Sequence, residues 1–332
     1  MATIGANLRT LEEHKKLFIN NRPVSTVINL LSKSTPMLED LPFREGNLMT
    51  GHRTTMVNGL PDIFWRTYNQ GIPASKSRKV TVDEKTGMME AYSEIDVKLA
   101  NLGGNQKQSR SEEASLHIEA MGQEAELNYF YGNSGLEPEK ITGLTNRYSD
   151  LGAANAQNIV DVGGTGTDNT SIWLIVFGEQ SFHGIYPKGS MAGIQHKDLG
   201  QRTREWFQDN KSMKMEVYTD HFSFDTGVVL KDWRYVARAC NIDVSELIDP
   251  ANNAKPNLIN VMIDLQHRIH KFGMGKACYY MNRTVHAALD KNKIKNAVGL
   301  EYKDVDGKWV MSFRGIPVRS TDTLLTTEAR VR

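Results

Sequence analysis

The chain has 332 residues, with 40 Lys and Arg against 39 Asp and Glu, so its formal net charge is only +1. A protein that binds nucleic acid tightly usually has more basic than acidic residues. The nearly equal numbers here therefore argue against tight DNA binding. Its two cysteines, Cys240 and Cys278, are too few for a disulfide framework and lack metal-ligand spacing. No apolar run approaches the ~20 residues that span a bilayer, and the N-terminus has no secretory signal pattern. We therefore expect reduced, buried thiols, a cytoplasmic site of synthesis and no membrane partner.

Residues 1–41 have the composition of an arm rather than that of a core. Leu8, Leu11 and Phe18 form only a weak helical stripe among many polar residues, and a better short helix is predicted over Ser25–Met37. An arm of this kind becomes ordered only when it lies on a partner surface.

Residues 42–92 are predicted to form a long two-stranded loop. Four short runs rich in β-branched, aromatic or other apolar residues are the predicted strands: Thr54–Val57, Ile63–Tyr68, Val80–Val82 and Met88–Tyr92. Turn-forming residues are dense over Asn69–Ser77. Because an isolated ribbon of this length is marginal in water, we expect the loop to lie on a neighbouring molecule.

The clearest predicted helix follows this loop. Ser109 and Glu112 have the spacing of a capping box, in which each side chain satisfies a free backbone donor of the first helical turn. Apolar residues then recur at helical spacing as far as Phe130, and Gly132 is a natural stop. The spacing predicts a rod over Ser109–Tyr131 that is long for a globular domain.

The remainder of the chain mixes short strands with two helices, which predicts the α+β class. Predicted strands are Ile172–Phe177 with a hairpin partner at Phe182–Tyr186, then Glu216–Thr219, Phe222–Phe224, Val228–Leu230, Trp233–Ala239 and Ala277–Met281. An amphipathic helix over Leu258–Ile269 is predicted to end at Gly273, and another helix begins at Thr284. The tryptophans are predicted to be packing anchors: Trp65, Trp173, Trp206, Trp233 and Trp309.

Three patterns could be drawn as chemical sites, and each has a simpler structural interpretation. Asp161–Thr165 copies a phosphate-binding glycine loop, but such folds need two similar domains, so a glycine-rich turn is favoured. Phe224–Gly227 resembles the aspartic-protease signature, which requires a second carboxylate, so a tight turn between strands is favoured. Asp264, His267 and His270 could share one helix face as a metal site, but a solvated polar face is favoured. We therefore expect no catalytic residue, no metal and no cofactor.

The pattern that remains is an arm, a long ribbon, a long helix, a strand-rich block and a closing strand. It resembles the Hong Kong phage-type capsid fold of tailed bacteriophage major capsid proteins, nearest to the short-tailed phage group. The resemblance is carried by the order of these segments: Gly51–Thr55, Tyr131–Asn133, Gly143–Tyr148, Asn169–Trp173, Gly184–Ser190, Tyr280–Thr284 and Phe313–Asp322. One departure is that the strand-rich block precedes the Leu258 helix, which suggests a permuted strand order.

The resemblance implies a division of the chain into functional regions. These are an N-terminal arm (1–41), an extended loop (42–92), a peripheral domain with a spine helix (93–150), a strand-rich block completing that domain (151–256), an axial domain (257–315), and a closing strand and tail (316–332). In the family, the arm and the extended loop embrace adjacent subunits. The residues expected at inter-subunit contacts are Tyr68, Gly71, Pro73, Lys76 and Arg78 at the loop tip, with Leu11 and Phe18 in the arm.

The implied function is that of a major capsid protein, not an enzyme. Copies would assemble into hexamers and pentamers of an icosahedral virion shell, built in the bacterial host cytoplasm and enclosing double-stranded DNA without sequence-specific binding. Implied partners are a portal protein and, in some relatives, scaffolding and decoration or cement proteins; the short arm favours a separate scaffolding protein or none. Some relatives are cross-linked through Lys and Asn, but the sequence does not place Lys76 beside Asn282, and no such bond is predicted.

Two alternatives stay open at the level of sequence. One is an encapsulin-type bacterial compartment, which shares the fold but encloses an enzyme as cargo. The other is a cytosolic phosphate-binding α+β enzyme that uses the Asp161–Thr165 loop. Copurifying cargo protein would favour the first, and nucleotide or phosphate-ester binding by the isolated chain would favour the second.

Overall fold

The computed structural model describes residues 18–19, 22–23, 33–102, 106–208, 211–248, 256–295, 300–305 and 308–332. Within these ranges the helices are α1 (Pro36–Asp40), α2 (Val97–Ala100), α3 (Gln106–Tyr131), α4 (Leu144–Arg147), α5 (Val244–Ile248), α6 (Leu258–Arg268) and α7 (Arg283–Lys295). The strands are β1 (Phe18–Ile19), β2 (Arg22–Pro23), β3 (Phe43–Glu45), β4 (Gly51–Gly59), β5 (Arg78–Lys85), β6 (Gly87–Asp96), β7 (Ile159–Asp161), β8 (Asn169–Phe177), β9 (Phe182–Tyr186), β10 (Gln195–Gln208), β11 (Lys211–Leu230), β12 (Val236–Asp243), β13 (Lys276–Asn282), β14 (Leu300–Val305), β15 (Lys308–Phe313) and β16 (Ile316–Thr321). This is the α+β mixture that the sequence predicts. None of the described helices combines the length and apolarity that crossing a membrane requires.

The chain divides into two compact units. The smaller includes Met88–Ala125 and Gly193–Asp225, and the larger includes Ser34–Gly87, Glu126–Ala192 and Thr226–Arg332. Both α3 and β11 therefore contribute residues to each unit. The six functional regions implied by the family resemblance are a separate division and remain a prediction.

The smaller unit is a long β-hairpin with the first part of α3 packed on it. β10 and β11 pair in antiparallel fashion, and β6 pairs with β11. The guanidinium group of Arg110 donates to both carboxylate oxygens of Asp220, at 2.7 and 3.0 Å. The ring of His117 stacks on Phe222 with 5.5 Å between the ring centroids. A bidentate ion pair and a ring stack thus fasten the N-terminal part of α3 to β11.

The larger unit is built on a mixed sheet with the strand order β7–β12–β8–β13–β16–β15–β14. All nine residues of β8 are buried, which confirms the buried strand predicted at Ile172–Phe177. One face of β8 packs with α6 and α7 in the main hydrophobic core. On the opposite face, Trp173 lies against the rings of Phe130 and Tyr148, with centroid distances of 6.2 and 5.9 Å. Because both faces of β8 are covered, its run Ile172–Phe177 is continuously apolar rather than alternating.

The end of the chain is docked on the larger unit. β16, the predicted Gly-Ile-Pro-Val closing strand, pairs in parallel with β13 and antiparallel with β15. Beyond it, the backbone N–H of Glu328 donates to the carbonyl of Asn169 at 2.9 Å. The N–H of Val331 donates to Oδ1 of Asn241, also at 2.9 Å. The closing strand and the tail thus pack on residues of the larger unit, to which they themselves belong.

The structure corrects the predicted limits of both long helices. α3 begins at Gln106, so Ser109 lies inside the helix and the predicted capping box at its start is wrong. Its end at Tyr131 confirms Gly132 as the stop, because the Gly132 N–H still bonds to the Asn128 carbonyl at 2.9 Å. α6 ends at Arg268, before the predicted Gly273. Ile269 leaves the helix in an extended conformation because its side chain turns into the core.

Several predicted strands also have different partners or limits. Ile63–Tyr68 is not a strand, and Met88–Tyr92 lies in β6, which pairs with β11 instead of closing the loop. Phe182–Tyr186 is a strand, but its bridge to β8 is parallel, so the predicted hairpin is wrong. The short strands predicted between residues 216 and 230 are one continuous strand, β11. Phe224–Gly227 therefore lies within a strand and not in a tight turn.

Candidate inter-subunit surface

β4 and β5 form a two-stranded sheet that is separate from the main sheet of the larger unit. Their antiparallel register runs from Gly51 opposite Lys85 to Gly59 opposite Arg78. Across this register the Arg53 guanidinium donates to the Asp83 carboxylate at 2.6 Å, on the exposed face of the hairpin. The hairpin confirms the predicted two-stranded loop, with a shorter extent than residues 42–92.

The root of the hairpin is fixed to the rest of the larger unit. The Arg147 guanidinium donates to both carboxylate oxygens of Glu84, with 2.7 Å between Nη2 and Oε2, and also to the Thr142 carbonyl. Gly51 lies so close to β5 that a Cβ there would be 1.9 Å from the carbonyl oxygen of Glu84. Only glycine permits this approach. The hairpin therefore leaves the unit in a defined direction.

Beside this root lies a pair of imidazoles, of which His183 is buried and His52 is half-buried. The rings of His52 and His183 are in edge-to-face contact, with 6.1 Å between their centroids. The Nδ1 atoms of both rings are buried, and neither has a hydrogen-bond partner among the described residues. Burial, together with the nearby positive charge of Lys231, lowers the pKa of His183 to about 4. Because burial lowers the pKa of each ring below its usual value, both imidazoles are neutral at physiological pH.

The tip of the hairpin, residues 60–77, is exposed along its whole length. It carries a set of large apolar side chains that remain exposed in the described part of the chain: Leu60, Ile63, Phe64, Trp65, Tyr68 and Ile72. Trp65 is 100% exposed and Tyr68 is 98% exposed. Folded monomers rarely leave so much apolar surface together in water. Such a cluster on a fixed support has the properties of an unfilled interface, since aromatic residues are the usual anchors of protein contacts.

The structure places the five predicted loop residues on or beside this tip. Tyr68, Gly71, Pro73 and Lys76 lie in the irregular segment, and Arg78 begins β5. All five are exposed. They lie together, as the sequence predicts, but their contact with another subunit remains a prediction. Of the two predicted arm residues, Leu11 lies outside the described residues, and for Phe18 only the backbone in β1 is described.

Sequence reasoning missed the strongest part of this surface. The prediction that the tryptophans are packing anchors is wrong for Trp65 and confirmed for Trp173. A signal was available in the run Ile63–Phe64–Trp65. Three consecutive apolar residues in an extended segment point to both faces of the ribbon, so no single underlying surface could bury them.

The residues that sequence patterns offered as chemical sites are used structurally. In the Asp161–Thr165 loop the N–H of Gly163 donates to the Asp161 carboxylate, and that of Gly164 to the Asn241 carbonyl, both at 2.9 Å. These amides are therefore not free to hold a phosphate. His270 lies beyond the end of α6, so it does not continue the helix face of Asp264 and His267. Within the described ranges no three His, Cys, Asp or Glu side chains are grouped as a metal site.

Comparison with known proteins gives a consistent assignment. The family model described as "Major capsid protein GP7" matches residues 20–332. A structure of bacteriophage Epsilon15 derived from cryo-EM and modelling is 29% identical, with a TM-score of 0.78; the match covers 100% of this chain and 99% of that one. No curated protein sequence matches the chain.

Other structural matches are more distant. A chain of an encapsulin complex from Synechococcus elongatus PCC 7942 is 13% identical with a TM-score of 0.44, covering 70% of this chain and 95% of that one. A chain of Mycobacterium phage Bobi is 10% identical with a TM-score of 0.45, covering 69% and 97%. The family model and the Epsilon15 match confirm the predicted fold and the short-tailed phage group, so the encapsulin alternative is not favoured. An α+β chain with an exposed apolar hairpin, matched along nearly its whole length, thus belongs to the major capsid protein GP7 family of bacteriophages.

Proposed function

We propose that copies of this major capsid protein are joined into hexamers and pentamers by the tip of the β4–β5 hairpin, which lies on a neighbouring subunit. The observation that carries the proposal is the exposed apolar cluster around Trp65 and Tyr68 on a rigidly fixed root. An interface between obligate partners typically buries more than ~2,000 Å² in total. A hairpin that protrudes from one copy and lies on the next makes a heterologous contact, and such contacts close into rings.

The predicted site residues have defined roles in this arrangement. Tyr68 would be an aromatic anchor, whereas Gly71 and Pro73 would shape the turn at the tip. Lys76 and Arg78 would form the polar rim, together with Arg66 and Lys79. Residues 60–79 contain four basic side chains and one acidic side chain, Asp62, so the receiving surface should be apolar at its centre and acidic at its margin. Leu11 and Phe18 of the arm would add a second contact to an adjacent copy.

The six regions implied by the family resemblance fit this proposal as working boundaries. The arm (1–41) and extended loop (42–92) would make contacts between copies, and the peripheral regions (93–150 and 151–256) would carry the spine helix. The axial region (257–315) would surround the symmetry axis. The closing strand and tail (316–332) would stabilise the subunit from within, in agreement with their contacts to Asn169 and Asn241.

The wider role follows from the family. The shell would enclose double-stranded DNA, contain a portal protein at one vertex, and assemble in the host cytoplasm with scaffolding or decoration proteins where the phage supplies them. The family indicates a structural protein, and the occupied amides of the Asp161–Thr165 loop support the absence of enzymatic activity.

Electron microscopy of the expressed protein tests the proposal. The wild-type chain should form capsomers or shells, and deletion of Asn69–Arg78 should leave only small species of unchanged helix and strand content by circular dichroism. Shells of normal size and yield after this deletion would show that the hairpin tip does not join the subunits.

A further inference from the structure

The larger unit carries a concentrated basic surface where α6 ends. Its members are exposed basic side chains of residues 267–276 and of the turn between β15 and β16: His267, Arg268, His270, Lys271, Lys276 and Arg314. Between Leu258 and Lys276 the only acidic residue is Asp264. The whole chain has a formal charge of +1, so this basic surface is a local concentration of charge and not a reflection of overall composition.

The backbone beneath the basic surface is held in place. The Ile269 side chain is buried in the core, and the N–H of His270 donates to the Arg234 carbonyl at 3.2 Å. Gly275 passes so close to β8 that a Cβ would lie 1.8 Å from the Phe177 carbonyl oxygen. Nη1 of Arg314 donates to Oε1 of Gln266 at 3.4 Å, which joins the β15–β16 turn to the last turn of α6. The cations are thus displayed on a fixed support.

Arg314 occupies an unfavourable backbone conformation. Its φ is +49°, and that of the following Gly315 is +83°. Two-residue hairpin turns with positive φ at both positions favour Asn, Asp or Gly at the first position, whereas an arginine there is strained. Residues held in sparsely populated conformations cluster at functional sites. The conformation therefore supports a role for the Arg314 side chain beyond closing the turn.

The cations border a shallow, open groove of about 480 Å³. Phe272, Ala277, Ile316 and Pro317 give it apolar walls, and Lys276 lies on its rim. Lys276 pairs with the buried carboxylate of Asp40 at 2.8 Å, although its own side chain is 59% exposed. Within the described ranges, Arg268, Lys271 and Arg314 have no carboxylate within 4.0 Å. Although Nη1 of Arg268 donates to the Gln157 carbonyl at 2.9 Å, the charges of these three residues remain available to an external anion.

We propose that the basic surface binds the phosphate backbone of double-stranded DNA without reading its sequence. This rests on the proposed function, in which the shell encloses DNA. Lys and Arg side chains that neutralise phosphates release counterions, and this supplies sequence-independent affinity. Each copy would bind weakly, but many copies facing one polymer would act together. A chain that is nearly neutral overall but carries one basic surface can thus bind DNA weakly at the wall of the shell.

A protein partner fits this surface less well than nucleic acid does. Stable protein interfaces need on the order of 1,000 Å² or more with an apolar centre. Around the basic surface the exposed large apolar side chains are Phe272 and Met274, and the groove that Phe272 borders is shallow. Open shape and concentrated positive charge favour an extended polyanion over a folded protein.

The test is fluorescence anisotropy of a labelled ~30-base-pair duplex, titrated with the full-length protein at several salt concentrations. The charge-reversed variant Arg268→Glu/Lys271→Glu/Arg314→Glu should bind at least tenfold more weakly. The slope of its log affinity against log salt should be smaller by two to three, since each phosphate contact contributes ~0.9. A matched control, Lys98→Glu/Lys188→Glu/Arg202→Glu, reverses three exposed cations elsewhere and should stay within threefold of wild type.

Equal loss in both triple variants, or no loss in either, would overturn the proposal, as would competition by poly-glutamate as effective as that by unlabelled duplex. If the charge-reversed variant does not fold, Arg268→Gln/Lys271→Gln/Arg314→Gln should still lower affinity and flatten the salt dependence, and its unchanged binding would equally overturn the proposal. Electron microscopy of the same samples separates the two proposals. If the wild-type chain forms shells and the charge-reversed variant binds DNA more weakly, the proposed role of the basic surface is supported. If the wild-type chain forms no shells, that result counts against the proposed function alone.

Discussion

Arg238 and Glu328, ninety residues apart, form a buried ion pair in which Nη2 donates to Oε2 at 2.8 Å. Their side chains are 1% and 4% exposed. The other two nitrogens of the guanidinium also donate, Nη1 to the Tyr148 carbonyl at 2.7 Å and Nε to the Ser171 hydroxyl at 3.0 Å. Tyr131 donates its hydroxyl proton to the other oxygen of Glu328 at 2.5 Å. The C-terminal tail is therefore held by a buried, hydrogen-bonded charged network.

Removal of one partner of this pair should be severely destabilising. Glu328→Ala leaves the Arg238 charge buried without its counter-ion, which typically costs about 3–5 kcal/mol. The exposed neighbour variant Arg330→Ala should change the free energy of unfolding by less than about 0.5 kcal/mol. Urea denaturation measured by circular dichroism checks both values. A loss below about 1 kcal/mol in Glu328→Ala would contradict the structural role of the pair.

Glu126 should make the larger unit less stable as the pH rises. Its carboxylate is fully buried and accepts hydrogen bonds from the Met37 N–H at 3.0 Å and the Thr321 hydroxyl at 2.6 Å. Burial raises its pKa to about 7, and these hydrogen bonds oppose the shift only in part. A carboxyl group with a raised folded-state pKa favours folding in its protonated form. Its contribution is complete below the unfolded value of 4.5 and is lost as the pH rises through about 7.

Glu126→Gln should remove this dependence. Between pH 5 and pH 8 the wild-type free energy of unfolding should fall by about 2–3 kcal/mol more than that of the variant, since one pKa unit corresponds to about 1.4 kcal/mol. The exposed residue Glu124 lies on the same helix, and Glu124→Gln serves as the control. Parallel pH profiles for wild type and Glu126→Gln would show that the buried carboxyl group does not titrate in this range.

His183 should make the larger unit less stable as the pH falls, which is the opposite of the effect of Glu126. Its pKa is lowered to about 4 from 6.5 because the ring is buried, and Lys231 and Arg44 add positive charge nearby. A base with a lowered folded-state pKa resists protonation in the native state. Stability is therefore unaffected above pH 6.5 and decreases as the pH falls from 6.5 towards 4. His183→Phe should reduce the loss of melting temperature between pH 7 and pH 4.5, whereas His267→Phe at an exposed position should not.

Neither the raised pKa of Glu126 nor the lowered pKa of His183 could be predicted from the sequence. Glu126 appears in the sequence as one more acidic residue of an amphipathic helix, and nothing local indicates that Met37 and Thr321 enclose it. The same holds for Arg238, whose partners lie in β8, the tail and the segment after α4. Contacts between residues separated by 67–195 positions depend on topology, which one sequence does not specify.

Local patterns, by contrast, predicted much of the fold. Ile172–Phe177 was identifiable as a buried strand because both faces are apolar, and Gly132 as a helix stop because it lacks a side chain. The capping pattern at Ser109 predicted the wrong start of α3. Three residues with good helical propensity precede Ser109, so the helix begins before the pattern. Ile63–Tyr68 has β-forming composition but no opposite strand to pair with, so composition alone was insufficient. The sequence predicted the exposed loop as a region. It did not predict that Trp65 is an exposed residue of that loop.

The hairpin tip is tested most directly by sedimentation velocity of wild type, Trp65→Ala/Tyr68→Ala, and the control Leu136→Ala/Met191→Ala. The control removes two large apolar side chains that are exposed elsewhere on the larger unit. Wild type and control should sediment as capsomers or shells, and the tip variant should sediment as small species with an unchanged melting temperature. A wild-type chain that stays monomeric at high concentration, or a tip variant that assembles as well as the control, would contradict an interface built on this hairpin.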